Sequence, residues 1–198
     1  MIGDDKKGGR SISFILNTKY KILNTLYNIM STKNPDQRVG VFVDVQNLYY
    51  SARSLYNARV NFGNILKAVV GERKLVRAIA YVIKASIPEE KKFFAALEKS
   101  GYEVKSKDLQ IFPGGAKKGD WDVGITMDMV QMMAKLDTIV LVSGDGDYVD
   151  AINYLKANGT RVEAVAFGRS TSAKLKEVVD DFVDLDAYHA KVTMPIRR

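Results

Sequence analysis

Two apolar runs that each end in aspartate constrain this chain most. Val39-Gly40-Val41-Phe42-Val43 runs into Asp44, and Thr138-Ile139-Val140-Leu141-Val142 runs into Ser143-Gly144-Asp145-Gly146-Asp147. Both read as buried strands that deliver carboxylates at their carboxyl ends, where open α/β sheets bind ligands. A third acidic segment, Lys117-Lys118-Gly119-Asp120-Trp121-Asp122, lies between them in sequence. If the three meet, like charges crowd one pocket. Two carboxylates about 4 Å apart repel by roughly 4 kcal/mol at an effective dielectric near 20. Protons or a divalent cation must offset that, and a cation in such a place points to phosphate chemistry.

The rhythm from residue 39 onward is strand, helix, strand, helix. Strands are predicted at 39–44, 75–83, 102–106, 138–142 and 161–166, and helices near 47–57, 61–70, 88–100, 121–136, 147–158 and 171–179. Short apolar strands alternating with helices imply a mainly parallel sheet covered on both faces. Gly101 and Gly159 stand where helices should stop. Residues 107–120, with Pro113-Gly114-Gly115, read as a long loop of the kind that often carries function. Upstream, Ile12, Ile15, Leu16, Leu23, Leu26, Tyr27 and Met30 recur near the helical period. This predicts an amphipathic helix over 12–31 that packs on the domain, on a second copy as a homodimer, or on a membrane surface, with the first two favoured. Three parts are therefore expected: a tail and helix at 1–37, a domain at 38–186 and a tail at 187–198.

Composition removes several chemistries. The 198 residues include no cysteine and a single histidine, His189. That leaves no thiol nucleophile, no disulfide framework, no thiolate zinc site and almost no material for a Ser-His-Asp triad. The first strand-to-helix turn has no glycine cluster, which argues against an organic dinucleotide cofactor. No run approaches the roughly 20 apolar residues of a membrane span, and no secretory pattern opens the chain, so a cytoplasmic protein is expected. The net charge of +7 suggests an anionic partner. Seven basic and three acidic residues fall within 1–38, so the body beyond is only mildly basic.

Each acidic segment has a plain reading beside a functional one. Asp44 or Asn47 caps a helix, or Asp44 binds a metal with Asn47 directed to the same site. Asp147 caps the helix that follows it, or joins Asp145 in the pocket, with two glycines letting the backbone turn tightly. Asp122 favours a helix dipole, or is a ligand. Asp128 has Gly124, Ile125, Gln131 and Met132 as helical neighbours, and a carboxylate beside an apolar face needs a partner or a metal. A calcium loop from Asp145 fails, because its sixth and twelfth positions hold Asp150 and Lys156. Oxygen donors without sulfur or imidazole select magnesium or manganese.

Val-Phe-Val-Asp-Val-Gln-Asn-Leu-Tyr (41–49), Lys-Gly-Asp-Trp-Asp-Val with Asp128 (118–128) and Leu-Val-Ser-Gly-Asp-Gly-Asp-Tyr (141–148) together resemble the NYN domain. More narrowly they resemble its LabA-like bacterial branch, within the PIN-like nuclease superfamily. The resemblance covers roughly residues 38–186. It implies a Rossmann-like three-layer α/β/α sandwich with a five-stranded sheet of order 3-2-1-4-5, and a magnesium- or manganese-dependent ribonuclease pocket acting on RNA. By position it makes Asp44, Asp122, Asp145 and Asp147 the metal-binding and catalytic acids. Asn47 and Asp128 complete or orient that set, and Ser143 supports it. Gln46 and Trp121 depart from the usual small residues of the family; Trp121 stacks on a base or fills core. Lys117, Lys118, Lys84 and Arg169 are candidate phosphate contacts, and Tyr49 and Tyr50 stack on bases or pack. Two alternatives remain beside the ribonuclease: a non-catalytic RNA-binding or regulatory module of the same fold, and a toprim-like phosphotransfer domain. Toprim-like domains place Glu after the first strand, where this chain has Asp44.

Overall fold

The structure, a computed structural model, describes residues 33–84, 89–111 and 117–196. The predicted helix over 12–31 lies outside those residues. The described elements are β1 (Arg38–Asp44), α1 (Val45–Tyr56), β2 (Ala58–Val60), α2 (Phe62–Val70), β3 (Lys74–Lys84), α3 (Glu89–Lys99), β4 (Glu103–Asp108), β5 (Gln110–Ile111), β6 (Lys117–Lys118), α4 (Asp122–Met132), β7 (Thr138–Val142), α5 (Val149–Ala157), β8 (Arg161–Ala166), α6 (Ala173–Val178), β9 (Asp181–Asp184), α7 (His189–Val192) and β10 (Thr193–Pro195).

Six strands form the central sheet in the order β4-β3-β1-β7-β8-β9, and every pairing within it is parallel. The first five follow the expected order. The sixth, β9, adds an edge that the sequence pattern concealed, since its apolar Phe182 and Val183 are flanked by Asp181 and Asp184.

β1 sits at the centre because both of its faces are apolar. Val39, Val41 and Val43 point into one core layer with α1, α2 and α3, while Phe42 points into the other with α4, α5 and α6. Gly40 admits the side chain of Leu136, whose Cδ1 lies 2.5 Å from where a Cβ would stand. Gly101 and Gly159 end α3 and α5 with φ of 102° and 83°, the left-handed region that favours glycine.

The expected loop at 107–120 is partly structured: β5 pairs with β6 in antiparallel register, Gln110 with Lys118 and Ile111 with Lys117. Beyond residue 186 the chain folds back, and β10 pairs antiparallel with β2. Toward the amino ends of the strands lies a buried ion cluster. Glu163 on β8 takes Arg73 at 3.1 Å, both side chains 1% exposed, and Lys33 at 2.6 Å. The chain leaves β1 first toward β3 and β4, then returns to β7, β8 and β9, so the topological switch point falls between the carboxyl ends of β1 and β7.

A carboxylate cluster at the strand ends

Asp44 and the Ser143–Asp147 turn stand at that switch point, and α4 brings Asp122 to them. Carboxylate oxygens of Asp122, Asp145 and Asp147 all lie within 4.8 Å of one another. Asp44 is 9% exposed. Burial first, and then the charges of Asp122 and Asp145, push its carboxyl up to about 6 against the lowering effect of the Asn47 amide. Asp122 is also raised, first by burial and then by Asp145, Asp120 and Asp147, with the Tyr148 hydroxyl pulling it back.

Local hydrogen bonds hold this arrangement. The Asn47 amide donates to Asp44 Oδ1 at 3.0 Å, so Asp44 caps α1 while facing the other acids. The capping and pocket readings of Asp44 are therefore compatible. Asn47 turns its own Oδ1 to the Gly144 amide at 3.0 Å and joins the end of β1 to the turn after β7. Within that turn, the buried Ser143 Oγ accepts from the Asp145 amide at 3.2 Å, and Asp145 Oδ1 accepts from the Asp147 amide at 3.1 Å. Gly144 is required by packing: a Cβ would stand 2.8 Å from Thr171 Oγ1 and 3.3 Å from the Ser170 carbonyl.

Tyr148 is the residue that sequence reasoning missed. It is fully buried beneath the cluster, and its hydroxyl donates to Asp122 Oδ1 at 3.0 Å. Burial and the anions of Asp44, Asp122 and Asp145 raise its phenol well above the usual range, so it remains a donor. Its place directly after the second aspartate of the turn was the available signal.

Asp128 and Arg169 are held by partners of their own. Asp128 accepts from Tyr81 Oη at 2.6 Å and from Lys105 Nζ at 2.7 Å. Burial raises its carboxyl, but those bonds and the charges of Lys105 and Arg77 outweigh it and hold the group below its ordinary value. Arg169 follows β8 and is tied to Asp186 through its backbone amide at 2.8 Å and its guanidinium at 3.4 Å. Lys84 ends β3, where its carbonyl accepts from the Leu109 amide. Lys117 and Lys118 form β6, paired with β5. Trp121 packs: its Nε1 donates to the Val82 carbonyl at 2.9 Å, its ring lies 5.2 Å from Tyr81, and Lys107 Nζ sits 4.1 Å from the ring centre. His189 stacks on Tyr56 at 4.5 Å.

The donor set fits a hard dication. An octahedral ion with ligands at about 2.1 Å sets its ligands about 3.0 to 4.2 Å apart, within the 4.8 Å that encloses the three oxygens. The carboxyls of Asp44 and Asp122 are both raised chiefly by burial and in smaller part by the neighbouring acids, so a cation bound here would relieve both penalties.

Fold and site define an α/β domain with a carboxylate cluster at its topological switch point. The chain belongs to the NYN domain family, whose model matches residues 38–186. It is 28% identical over 160 residues to the low amplitude and bright protein LabA of Synechococcus elongatus, covering 75% of this chain and 84% of LabA. The crystal structure of a protein of unknown function from Vibrio parahaemolyticus superposes with a TM-score of 0.75 at 31% identity, covering 82% of this chain and 99% of that one. Members of the NYN family are typically nucleases. Among the described residues no helix is long and apolar enough to cross a membrane.

Proposed function

We propose that the protein is a magnesium- or manganese-dependent endoribonuclease that hydrolyses RNA phosphodiester bonds at this cluster. The observation that carries the reading is the convergence of Asp122, Asp145 and Asp147 within 4.8 Å beside a buried Asp44. Those four carboxylates would hold the metal. When bound, such an ion supplies a water of lowered pKa and offsets charge on the leaving oxygen.

The chain's own residues do the positioning. Asn47 and Ser143 fix the turn that carries Asp145 and Asp147. Tyr148 orients Asp122 by donating to one of its oxygens. Asp128, held by Lys105 and Tyr81, anchors α4 against β3 and β4. Lys117, Lys118, Lys84 and Arg169 are placed in this reading along the phosphate backbone. No side chain of this set is a strong nucleophile, which suits attack by water. A non-catalytic RNA-binding module is the weaker reading, because an anionic pocket repels phosphates unless a cation is taken up.

The test is cleavage of single-stranded RNA in manganese by the full chain, Asp44→Asn and Asp145→Asn. Strong activity in the first and loss in both variants is expected. Equal activity in all three removes the assignment.

A further inference from the structure

α1 carries an aromatic that the carboxylate site does not use. Val45, Leu48 and Ala52 bury one face of this helix. Asn47, Tyr50, Ser51 and Ser54 recur at the helical spacing along another stripe. Two contacts place that stripe. Asn47 Oδ1 accepts from the Gly144 amide at 3.0 Å, and Ser170 Oγ donates to Ser51 Oγ at 2.9 Å. Tyr50 therefore stands on the stripe that meets the turn after β7 and the turn after β8, on the rim of the pocket.

Tyr50 is 60% exposed, the most open tyrosine in the described residues. Its ring touches Tyr49 edge-on, with centroids 5.4 Å apart and planes at 74°. An edge contact of this kind props the ring without covering both of its faces. Arg53, exposed and three residues on, follows it along the helix. From Asp44 at the cap to Tyr50 the helix advances roughly 9 Å. An exposed flat ring followed by a cation, leading away from an acidic centre, has the chemistry of a single-strand track: bases stack on the aromatic while phosphates take the cation.

We infer that Tyr50 is a base-stacking platform that holds an unpaired nucleotide of the RNA strand next to the bond lying over Asp44, with Arg53 on the adjoining phosphate. This rests on the ribonuclease reading and adds to it the residue that holds one unpaired base beside the cleaved bond. In a duplex the bases are already paired and stacked on one another, so none is free to lie on a side chain at the rim.

The test is fluorescence anisotropy of the full chain carrying Asp145→Asn as the parent background, with a short labelled oligoribonucleotide in manganese, so that a cation offsets the remaining carboxylates and cleavage does not intervene. The probes are a single strand, the same strand made abasic, and the corresponding duplex. Tyr50→Ala weakens single-strand binding by about 5- to 150-fold, the usual range for one stacked base. Tyr50→Phe keeps the ring and binds like the parent, and neither variant changes binding of the abasic strand or the duplex. Tyr50 is too exposed for Tyr50→Ala to unfold the domain. Equal single-strand binding by Tyr50→Ala and the parent overturns the platform, as does failure of the parent to bind the single strand. Loss of cleavage in Asp145→Asn is scored separately, so the platform can fail while the ribonuclease assignment stands.

Discussion

Asp44→Asn should make the metal-free protein more stable at neutral pH while abolishing its activity. The Asp44 carboxyl lies near 6 in the fold against an ordinary value of 3.8. For an acid raised in this way, the unfolded chain releases its proton before the folded one does. Its contribution to stability is intact below about pH 4, erodes between about pH 4 and pH 6, and is fully lost above. The difference of about two pH units corresponds to roughly 3 kcal/mol. Asparagine removes the charge, keeps the size and remains an equally good cap for the Asn47 amide. In EDTA, thermal melts should coincide for parent and variant near pH 4 and separate at pH 7–8, the variant melting about 6–12 °C higher for a domain of this size. A variant that melts lower than the parent at pH 8, or an offset that does not change with pH, refutes the claim that Asp44 is a destabilised buried anion among like charges.

Three further outcomes follow from the contacts. Asn47→Ala deprives the Gly144 amide of its acceptor, which should cost about 1–3 kcal/mol in urea unfolding and reduce cleavage by loosening the Asp145 turn. Tyr148→Phe removes the bond that lowers Asp122, so the acid limb of manganese binding should move to higher pH, with a stability loss of only about 1 kcal/mol. Glu163→Gln leaves Arg73 charged in a buried site and should destabilise by about 3–5 kcal/mol, read by denaturant unfolding, with manganese affinity retained because the cluster lies at the other end of the sheet.

The core of the fold was legible because its signal is local. Val39 to Val43 and Thr138 to Val142 are continuous apolar runs, as strands covered on both faces require, and Gly101 and Gly159 marked helix ends by the conformation they allow. β9 was missed because an edge strand of two apolar residues between two aspartates leaves almost no periodic trace. The gathering of Asp122, Asp145 and Asp147 could be anticipated from strand ends, since topology brings such ends together. The partners of Asp128 could not. Its helical neighbours called for a partner or a metal without saying which, and Lys105 and Tyr81 reach it from β4 and β3, adjacent strands whose lateral register no helical spacing encodes. The same holds for Arg73 and Glu163, ninety residues apart. Asp44 was posed as either cap or ligand because sequence treats those roles as rivals. The geometry lets one oxygen serve the cap and leaves the carboxylate facing its neighbours.

The central claim is most directly tested by locating manganese through its anomalous scattering in crystals of the full chain. The account predicts an ion in direct contact with carboxylate oxygens of Asp122 and Asp145, with Asp44 and Asp147 completing or supporting the shell. A saturating soak that leaves this cluster without a peak, or an ion held only elsewhere on the surface, would contradict it.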